Sequence, residues 1–486
     1  MSNDKANNNN DIQPSIVWHD YETWGISPKY DKPSQFAAIR TDLDLNIIGE
    51  PEVFYCQPPA DYLPNPGACL VTGITPQKAQ REGLPEAEFA KRIQQIFTVP
   101  NTCVAGYNSI RFDDEVSRYL FYRNFYDPYA REWQHGNSRW DIIDMARMCY
   151  ALAPDGINWP ADDEGKVSFR LELLTAANGI SHEAAHDAMS DVYATIAFAK
   201  LIKEKQPKLY NYVFAMRSKQ KVAELINTYE MTPFLHTSGR VSREQRNTSW
   251  FMPIDFDPSN KNAVTCIDLS KDISPLLELD ADTIKQRLYT RHDELRAEGL
   301  LPIPIKQIHI NKCPAVAPAK VLTPERAATI GIDREACLAN FKAVKEHAVA
   351  IKEKLIDVFT RDYDKLAKDD AEHALYSGDF FSPADKHKMA MVHELAPEQL
   401  ATHPFNFIDE RLDTLLFRYR ARNYPYTLAT DEQHKWRQYC QNKLQYGENG
   451  LSLDEYMMKI ENLAHEHEAD ANKIAILKAL YLYVQN

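Results

Sequence analysis

Four short apolar runs near the start of the chain constrain the fold most strongly. They are rich in β-branched and aromatic residues and are bounded by polar residues, as in SIVWH, FAAIR, EVFYC and CVAGY. Such runs are typical of buried strands. The connections between the first three show no helical period, which predicts an antiparallel meander. Helical patterns follow the fourth run, in DDEVSRYLFYRN and in AMSDVYATIAFAKLI.

A strand meander followed by βα units is the element order of a ribonuclease-H-like α/β fold, so we predict a mixed sheet with flanking helices. A chain of 486 residues is too long for one ordinary core. Short strands, such as NAVTCIDLS and KQIHIN, dominate a middle region, and helical periods dominate the last part. We therefore expect four regions: a disordered tail at 1–14, an α/β domain at 15–205, a small β domain at 206–360 and a helical domain at 361–486.

Composition places the chain among ordinary globular proteins. Its hydrophobic content is 44% and its charged content 26%, and it has no apolar run of the roughly 18 residues that a membrane span needs. The polar start, MSNDKANNNN, lacks an apolar signal core, so we expect a cytoplasmic protein. The eight cysteines are scattered without a C-x-x-C pair, which argues against structural zinc and against a disulfide framework.

The charge distribution is uneven. The whole chain carries a net charge of −13, which argues against a polyanionic partner. Residues 206–360 nevertheless carry a net charge of +3 and are the one basic region of the chain. The net charge of the whole chain therefore hides a basic surplus in the middle region, although a charge of +3 over 155 residues does not by itself indicate a binding surface.

The stretch WHDYETWG places two carboxylates at the end of the first predicted strand. Side chains alternate between the faces of a strand, so Asp20 and Glu22 project to the same side. Two like charges held this close require a counter-ion, and oxygen ligands suit Mg²⁺ or Mn²⁺ better than zinc. The alternative is a solvated strand end without a function.

Two further stretches supply candidate partners for these carboxylates. GYNSIRFDDE follows the fourth strand and opens a helix, at the carboxyl end of a strand, where α/β sheets place their sites. Asp113 or Asp114 could instead serve only as a first-turn acid. In AHDAMSDVYATIA, His186 and Asp191 converge only if His186 precedes the helix and Asp187 is the N-cap.

The order D-x-E, an aspartate at a βα junction and H-x4-D resembles the DEDDh exonuclease superfamily. The resemblance implies that the catalytic residues are Asp20, Glu22, Asp113, Asp191 and His186. It favours Asp113 over Asp114 because Asn108 and Phe112-Asp113 match the superfamily's N…F-D pattern. Asp141 and Asp144, in RWDIID, are rivals of lower rank.

More blocks are similar to the bacterial exonuclease I family, from residue 19 to beyond 420. They include GEPEVFYC, LVTGITPQ, YRNFYDPY, GINWP, HINKCP and YRARN. This resemblance implies a multidomain α+β architecture: a ribonuclease-H-like exonuclease domain, a small Src-homology-3-like β-barrel domain and a C-terminal helical domain. It also implies a 3′-to-5′ exonuclease that degrades single-stranded DNA to 5′-mononucleotides in DNA repair and recombination.

The resemblance further assigns roles at the site. It implies two Mg²⁺ ions, or Mn²⁺ in their place: Asp20 bridges both, Glu22 and Asp191 complete one site, and Asp113 supports the other largely through water. His186 would be the general base that takes a proton from the attacking water. An imidazole with an ordinary pKa of about 6.5 suits that task.

Substrate and partner contacts follow from the same resemblance. It implies that Glu22, Thr23 and Asn108 bind the substrate. Arg139 and Arg170 are candidates for phosphate contacts, although an ion pair with a nearby acid is an equal alternative. The family also implies a monomer that binds the acidic C-terminal tail of single-stranded-DNA-binding protein. YALAP departs from the family pattern, because alanine stands where a basic residue is expected.

Three other functions stay open. A DEDDh exoribonuclease would use the same chemistry on RNA, but such enzymes resemble the first domain alone. A non-catalytic protein that binds single-stranded DNA would not need all five catalytic positions. A metal-dependent phosphodiesterase of another fold is the most distant, because the chain lacks the multi-histidine ligand set that such enzymes often use.

Overall fold

The computed structural model describes residues 12–182, 187–360 and 369–485. The chain divides into two compact units, and each draws on separate stretches of sequence. The first unit consists of Met1–Ser138, His182–Ile196 and Ala367–Asn486. The second consists of Arg139–Ser181 and Ala197–Leu366.

The described residues form ten strands and twenty α-helices. The strands are β1 (Ser15–Thr23), β2 (Pro33–Thr41), β3 (Glu52–Tyr55), β4 (Thr102–Gly106), β5 (Ser138–Asp141), β6 (Phe234–Thr237), β7 (Thr248–Asp257), β8 (Asn260–Asp268), β9 (Ile305–His309) and β10 (Ala315–Pro318). The helices are α1 (Pro66–Thr72), α2 (Pro76–Glu82), α3 (Glu86–Phe97), α4 (Asp113–Arg123), α5 (Ile142–Leu152), α6 (Leu171–Ala177), α7 (Ala188–Lys205), α8 (Pro207–Ala215), α9 (Lys219–Leu225), α10 (Ser274–Glu278), α11 (Ala281–Tyr289), α12 (His292–Ala297), α13 (Pro324–Thr329), α14 (Arg334–Glu346), α15 (Ala348–Phe359), α16 (Pro383–Glu394), α17 (Glu410–Asn423), α18 (Thr430–Tyr446), α19 (Leu453–Glu466) and α20 (Ala471–Tyr483).

The strands of the first unit confirm the predicted mixed sheet. They lie in the order β3-β2-β1-β4. Strands β1, β2 and β3 form the antiparallel meander, whereas β4 runs parallel to β1 and pairs Trp18 with Ala105. The central position of β1 explains why its side chains are buried on both faces until the strand reaches Asp20. The carboxylates therefore emerge where the strand leaves the core.

The C-terminal helices complete the core of the first unit. One cluster of buried side chains joins Tyr119 and Tyr122 of α4 to Leu412 and Leu415 of α17. A second cluster packs Trp24 and residues of α1 and α2 against α19 and α20. Burial of apolar surface is the main force that stabilises such contacts. The two ends of the chain thus share hydrophobic cores.

Local signals in the sequence position the helices that matter for function. Asp187 accepts a hydrogen bond from the Ser190 amide (3.1 Å) at the start of α7, as predicted for an N-cap. Thr323 caps α13, and Pro324 is its first residue, a position that proline favours. Extended backbone at Thr290 and Arg291 separates α11 from α12.

The second unit contains an antiparallel sheet in the order β10-β6-β7-β8-β9. Its core includes Phe234, Phe251, Val264 and Ile308, which come from four successive strands. The regions NAVTCIDLS and KQIHIN contain strands, as predicted. Among the residues described, none of the helices has the length and apolar character that crossing a membrane requires.

Candidate active site

Three carboxylates meet at the end of β1. One oxygen each from Asp20, Glu22 and Asp191 lies within 4.8 Å of the others. Strand alternation places the first two on one face, while Val17 and Tyr21 point into the sheet core on the opposite face. Asp191 belongs to the first turn of α7, which the Asp187 cap holds in place. The structure therefore brings together three of the residues that the sequence predicted.

The fourth predicted carboxylate is tied to the same strand. An oxygen of Asp113 accepts a hydrogen bond from the backbone amide of Tyr21 at 3.2 Å, and Tyr21 lies between the two β1 carboxylates. Its neighbour Asp114 has a different partner, because its carboxylate forms a buried ion pair with Arg131 at 2.7 Å. The contacts thus favour the prediction that chose Asp113.

The two lower-ranked aspartates have structural partners of their own. Asp141 accepts a hydrogen bond from the Ile143 amide and caps α5. Asp144 pairs with Arg147 at 2.6 Å, one turn along the same helix. Both residues belong to the second unit, and each has a local structural role that accounts for its carboxylate.

Electrostatics within the cluster are unfavourable for negative charge. Burial, then the neighbouring carboxylates of Asp191, Asp113 and Asp187, together raise the pKa of Glu22 to about 8. Burial, then Asp113 and the other carboxylates, raise the pKa of Asp20 well above its ordinary range. Like charges in a buried site disfavour one another. A bound cation would remove this cost, so the arrangement is suited to a cation.

One histidine of the described residues contacts the carboxylate cluster. His186 lies outside the described residues. His182, which the sequence analysis did not single out, places its Nε2 atom 2.5 Å from an oxygen of Asp191. The signal was present, since SHEAAHD contains two histidines four residues apart ahead of α7. Sequence spacing alone did not show that the first of them would reach the carboxylate.

The predicted substrate-binding residues have varied surroundings. The Thr23 hydroxyl donates to the Gly25 carbonyl oxygen at 2.6 Å. Asn108 adopts a left-handed backbone conformation (φ 60°) directly after β4, which asparagine tolerates better than most residues. In the second unit, buried Arg139 donates to the Asn311 carbonyl oxygen. Exposed Arg170 pairs with Glu172 at 2.6 Å, so the predicted local ion pair is present.

Three family models match successive regions of the chain. Residues 17–199 match a family model described as "Exonuclease", 217–361 match "Exonuclease I SH3-like domain", and 369–486 match "Exonuclease I C-terminal domain". These matches confirm the predicted fold class of an exonuclease domain, an SH3-like domain and a helical C-terminal domain.

Curated relatives and solved structures are similar over nearly the full length. Exodeoxyribonuclease I of Escherichia coli (strain K12) is 50% identical over 473 residues, which cover 97% of this chain and 98% of that protein. The Haemophilus influenzae protein of the same name is 50% identical over 469 residues, 96% of this chain and 98% of its own.

Two solved structures of the E. coli protein are similar to this chain over nearly its full length. A complex with a dA16 oligonucleotide has a TM-score of 0.93 at 50% identity and covers 97% of this chain and 99% of that one. A zinc-bound complex with single-stranded DNA has a TM-score of 0.92, with the same identity and coverage. With its carboxylate site and with this similarity along its whole length, the chain belongs to the exonuclease I family of hydrolytic exodeoxyribonucleases.

Proposed function

We propose that this exodeoxyribonuclease hydrolyses single-stranded DNA from its 3′ end to 5′-mononucleotides, using two Mg²⁺ ions, or Mn²⁺ in their place. One observation carries the proposal: Asp20, Glu22 and Asp191 place oxygens within 4.8 Å of one another, with Asp113 tied to the same strand. Degradation of single-stranded DNA is a step in DNA repair and recombination, which is where we expect the enzyme to act.

The donor set fits a hard divalent cation. Every proposed ligand is a carboxylate oxygen, and such ligands suit Mg²⁺ and Mn²⁺. The raised pKa of Glu22 supports the same conclusion, because the cluster lacks enough positive charge of its own. Asp20 would bridge both ions, Glu22 and Asp191 would complete one site, and Asp113 would support the other. A pair of such ions activates water and stabilises the leaving oxygen.

A side chain of the protein would accept the proton that the attacking water loses. Water attacks phosphorus, the new P–O bond forms as the bond to the 3′ oxygen breaks, and the proton of the water goes to a general base. We assign that role to His186 from the family resemblance. His182 is the competing candidate, because its Nε2 atom contacts Asp191.

Substrate contacts are proposed for five residues. Glu22, Thr23 and Asn108 would bind the terminal nucleotide, since they lie at or next to the strand ends that carry the carboxylates. Arg139 and Arg170 would contact phosphates. Exposure of the Arg170 side chain supports its role, because an exposed ion pair is weak enough to exchange for a phosphate.

Further parts of the proposal concern organisation and partners. We expect domain boundaries near residues 205 and 360, which the three matched regions support. We also propose a monomer that binds the C-terminal tail of single-stranded-DNA-binding protein, on the strength of the family resemblance. A cytoplasmic location is supported by the eight cysteines, all of which are free thiols.

A nuclease assay on matched oligonucleotides tests the proposal. End-labelled DNA and RNA of one sequence are incubated with the wild-type chain, with Asp20→Ala and with Asp144→Asn, with Mg²⁺ or with EDTA. We expect nucleotide release from DNA only, loss of release with EDTA and in Asp20→Ala, and wild-type release in Asp144→Asn, whose carboxylate pairs with Arg147. Preference for RNA would make the enzyme an exoribonuclease. DNA binding without release would make it a non-catalytic binding protein.

A further inference from the structure

The loop between β1 and β2 determines where β1 ends. This loop, residues 24–32, follows directly after Glu22 and Thr23. Its two ends are joined by a hydrogen bond from the Trp24 amide to the Lys32 carbonyl oxygen at 2.9 Å. The register between β1 and β2 shifts between Glu22 and Thr23, where the regular pairing stops. The position of the Glu22 carboxylate therefore depends on how the loop is held.

The interior of the loop has a closely fixed conformation. The Asp31 carboxylate accepts hydrogen bonds from the Tyr62 hydroxyl at 2.6 Å and from the Ser27 amide at 2.8 Å. A Cβ atom on Gly25 would lie 2.2 Å from the same carboxylate, so only glycine fits there. These contacts hold the loop in a single conformation.

One segment of the C-terminal region, residues 369–381, packs against this loop. Lys32 Nζ lies 3.4 Å from an oxygen of Glu372. Lys29 Nζ lies 2.9 Å from an oxygen of Asp369. The Tyr30 ring also meets the His373 ring edge-on, with centroids 4.9 Å apart. Three successive contacts thus join the loop to a part of the chain about 340 residues away.

The same 369–381 segment contacts the helix that begins with Asp113. The Tyr122 hydroxyl of α4 donates to the Ala371 carbonyl oxygen at 2.7 Å. The Tyr376 hydroxyl donates to a carboxylate oxygen of Glu115 at 2.5 Å and accepts from Arg118 at 2.9 Å. One segment therefore touches both elements that supply carboxylates from the N-terminal part of the site.

The two ion pairs between loop and segment differ in burial. The side chains of Lys32 and Glu372 are 4% and 1% exposed, whereas those of Lys29 and Asp369 are 28% and 31% exposed. Burial would raise the pKa of Glu372, but Arg422, Lys32 and their neighbours hold it well below its ordinary range. Glu372 also pairs with Arg422, so removing Lys32 takes away the contact with the loop rather than the whole counter-charge of Glu372, whereas exposed pairs contribute little.

We propose that Lys32 and Glu372 are positioning residues, whose buried ion pair holds the β1–β2 loop on the 369–381 segment and so fixes the Glu22 carboxylate for cation binding. The inference rests on the proposed function of the carboxylate cluster. Neither residue touches the substrate in this proposal, and both act through the end of β1.

Steady-state kinetics with Lys32→Met test this role, with Lys29→Ala as the matched control on the same loop and segment. Misplacement of reacting groups by about 1 Å lowers rates by about a hundredfold, and we expect a smaller shift to lower kcat about tenfold in Lys32→Met. We also expect a severalfold rise in the Mg²⁺ concentration for half-maximal activity. The KM for the oligonucleotide should change less than kcat, because Glu22 is only one of the proposed substrate contacts. Lys29→Ala should match the wild type in all three values.

Two further measurements separate a positioning role from loss of folded protein. Glu372→Gln, which keeps the size of the side chain, should speed hydrogen exchange in residues 23–32 while α19 and α20 exchange as in the wild type. Unchanged exchange there, or a Lys32→Met enzyme whose Mg²⁺ dependence and kcat per folded molecule equal those of the wild type, would overturn the proposal. Asp20→Ala is measured alongside: if it retains activity, the carboxylate assignment itself fails.

Discussion

Replacing Glu22 with glutamine removes one negative charge from the carboxylate cluster and leaves the shape of the side chain almost unchanged. In the folded chain the pKa of Glu22 rises from 4.5 to about 8, mainly because of burial and then because of Asp191, Asp113 and Asp187. Between these two pH values the folded chain holds a proton that the unfolded chain has lost. The free energy of unfolding of the metal-free protein therefore falls as pH rises from about 4.5 to 8, and levels off above that.

The size of the effect follows from the shift. One pKa unit corresponds to about 1.4 kcal/mol, so the change from 4.5 to about 8 sets an upper limit of about 5 kcal/mol. Solvent reaches part of the carboxylate and screens the repulsion, so we expect Glu22→Gln to gain about 2 kcal/mol at pH 8.5. For a domain of the size of the first unit, a gain of about 2 kcal/mol in the free energy of unfolding raises Tm by about 4–8 °C.

Thermal unfolding in EDTA at pH 5 and at pH 8.5 measures this directly. Glu22→Gln should match the wild type at pH 5 and exceed it at pH 8.5, and Mg²⁺ should stabilise the wild type more than the variant, because a ligand that binds only the folded state raises Tm. Glu88→Gln, on the exposed face of α3, is the control and should follow the wild type. A wild-type Tm that does not fall between the two pH values relative to Glu22→Gln would refute the account of the cluster.

Three other predictions concern the residues around the site. Arg131→Leu leaves the buried Asp114 carboxylate without its ion pair, so the free energy of unfolding in urea should fall by about 3–5 kcal/mol. Gly25→Ala places a methyl group against the Asp31 carboxylate, so kcat on a DNA oligonucleotide should fall severalfold. Gly49→Ala is a suitable control. Gly165→Ala is not, because the φ of Gly165 is positive. His182→Asn should shift the pH profile of kcat if that imidazole is the general base, and should leave its shape unchanged if the base is elsewhere.

Local patterns in the sequence predicted the parts of the fold and site that depend on local geometry. The alternation of β1 placed Asp20 and Glu22 on one face, and the cap residue Asp187 marked the start of the helix that carries Asp191. Both features follow from the backbone of a single element. The family resemblance then chose Asp113, and its hydrogen bond to the Tyr21 amide agrees with that choice.

Contacts between distant parts of the chain could not be predicted in this way. Lys32 and Glu372 are 340 residues apart, and neither lies in a pattern that distinguishes a buried charge from an exposed one. The contact of His182 with Asp191 depends on the path of the chain ahead of α7, which spacing does not define. Tertiary packing determines these pairs, and a single sequence carries no direct record of it.

The first unit is built from both the N-terminal and the C-terminal parts of the chain, and this has a consequence for protein synthesis. Asp61 is fully buried, and its partners Arg422 and Lys443 are translated 361 and 382 residues after it. A nascent chain that ends before Arg422 would hold the Asp61 carboxylate without these two partners, and apolar side chains that pack on α19 and α20 would face water. A nascent chain that lacks α19 and α20 should therefore be unable to cut DNA, so that nuclease activity begins only after these helices have been made.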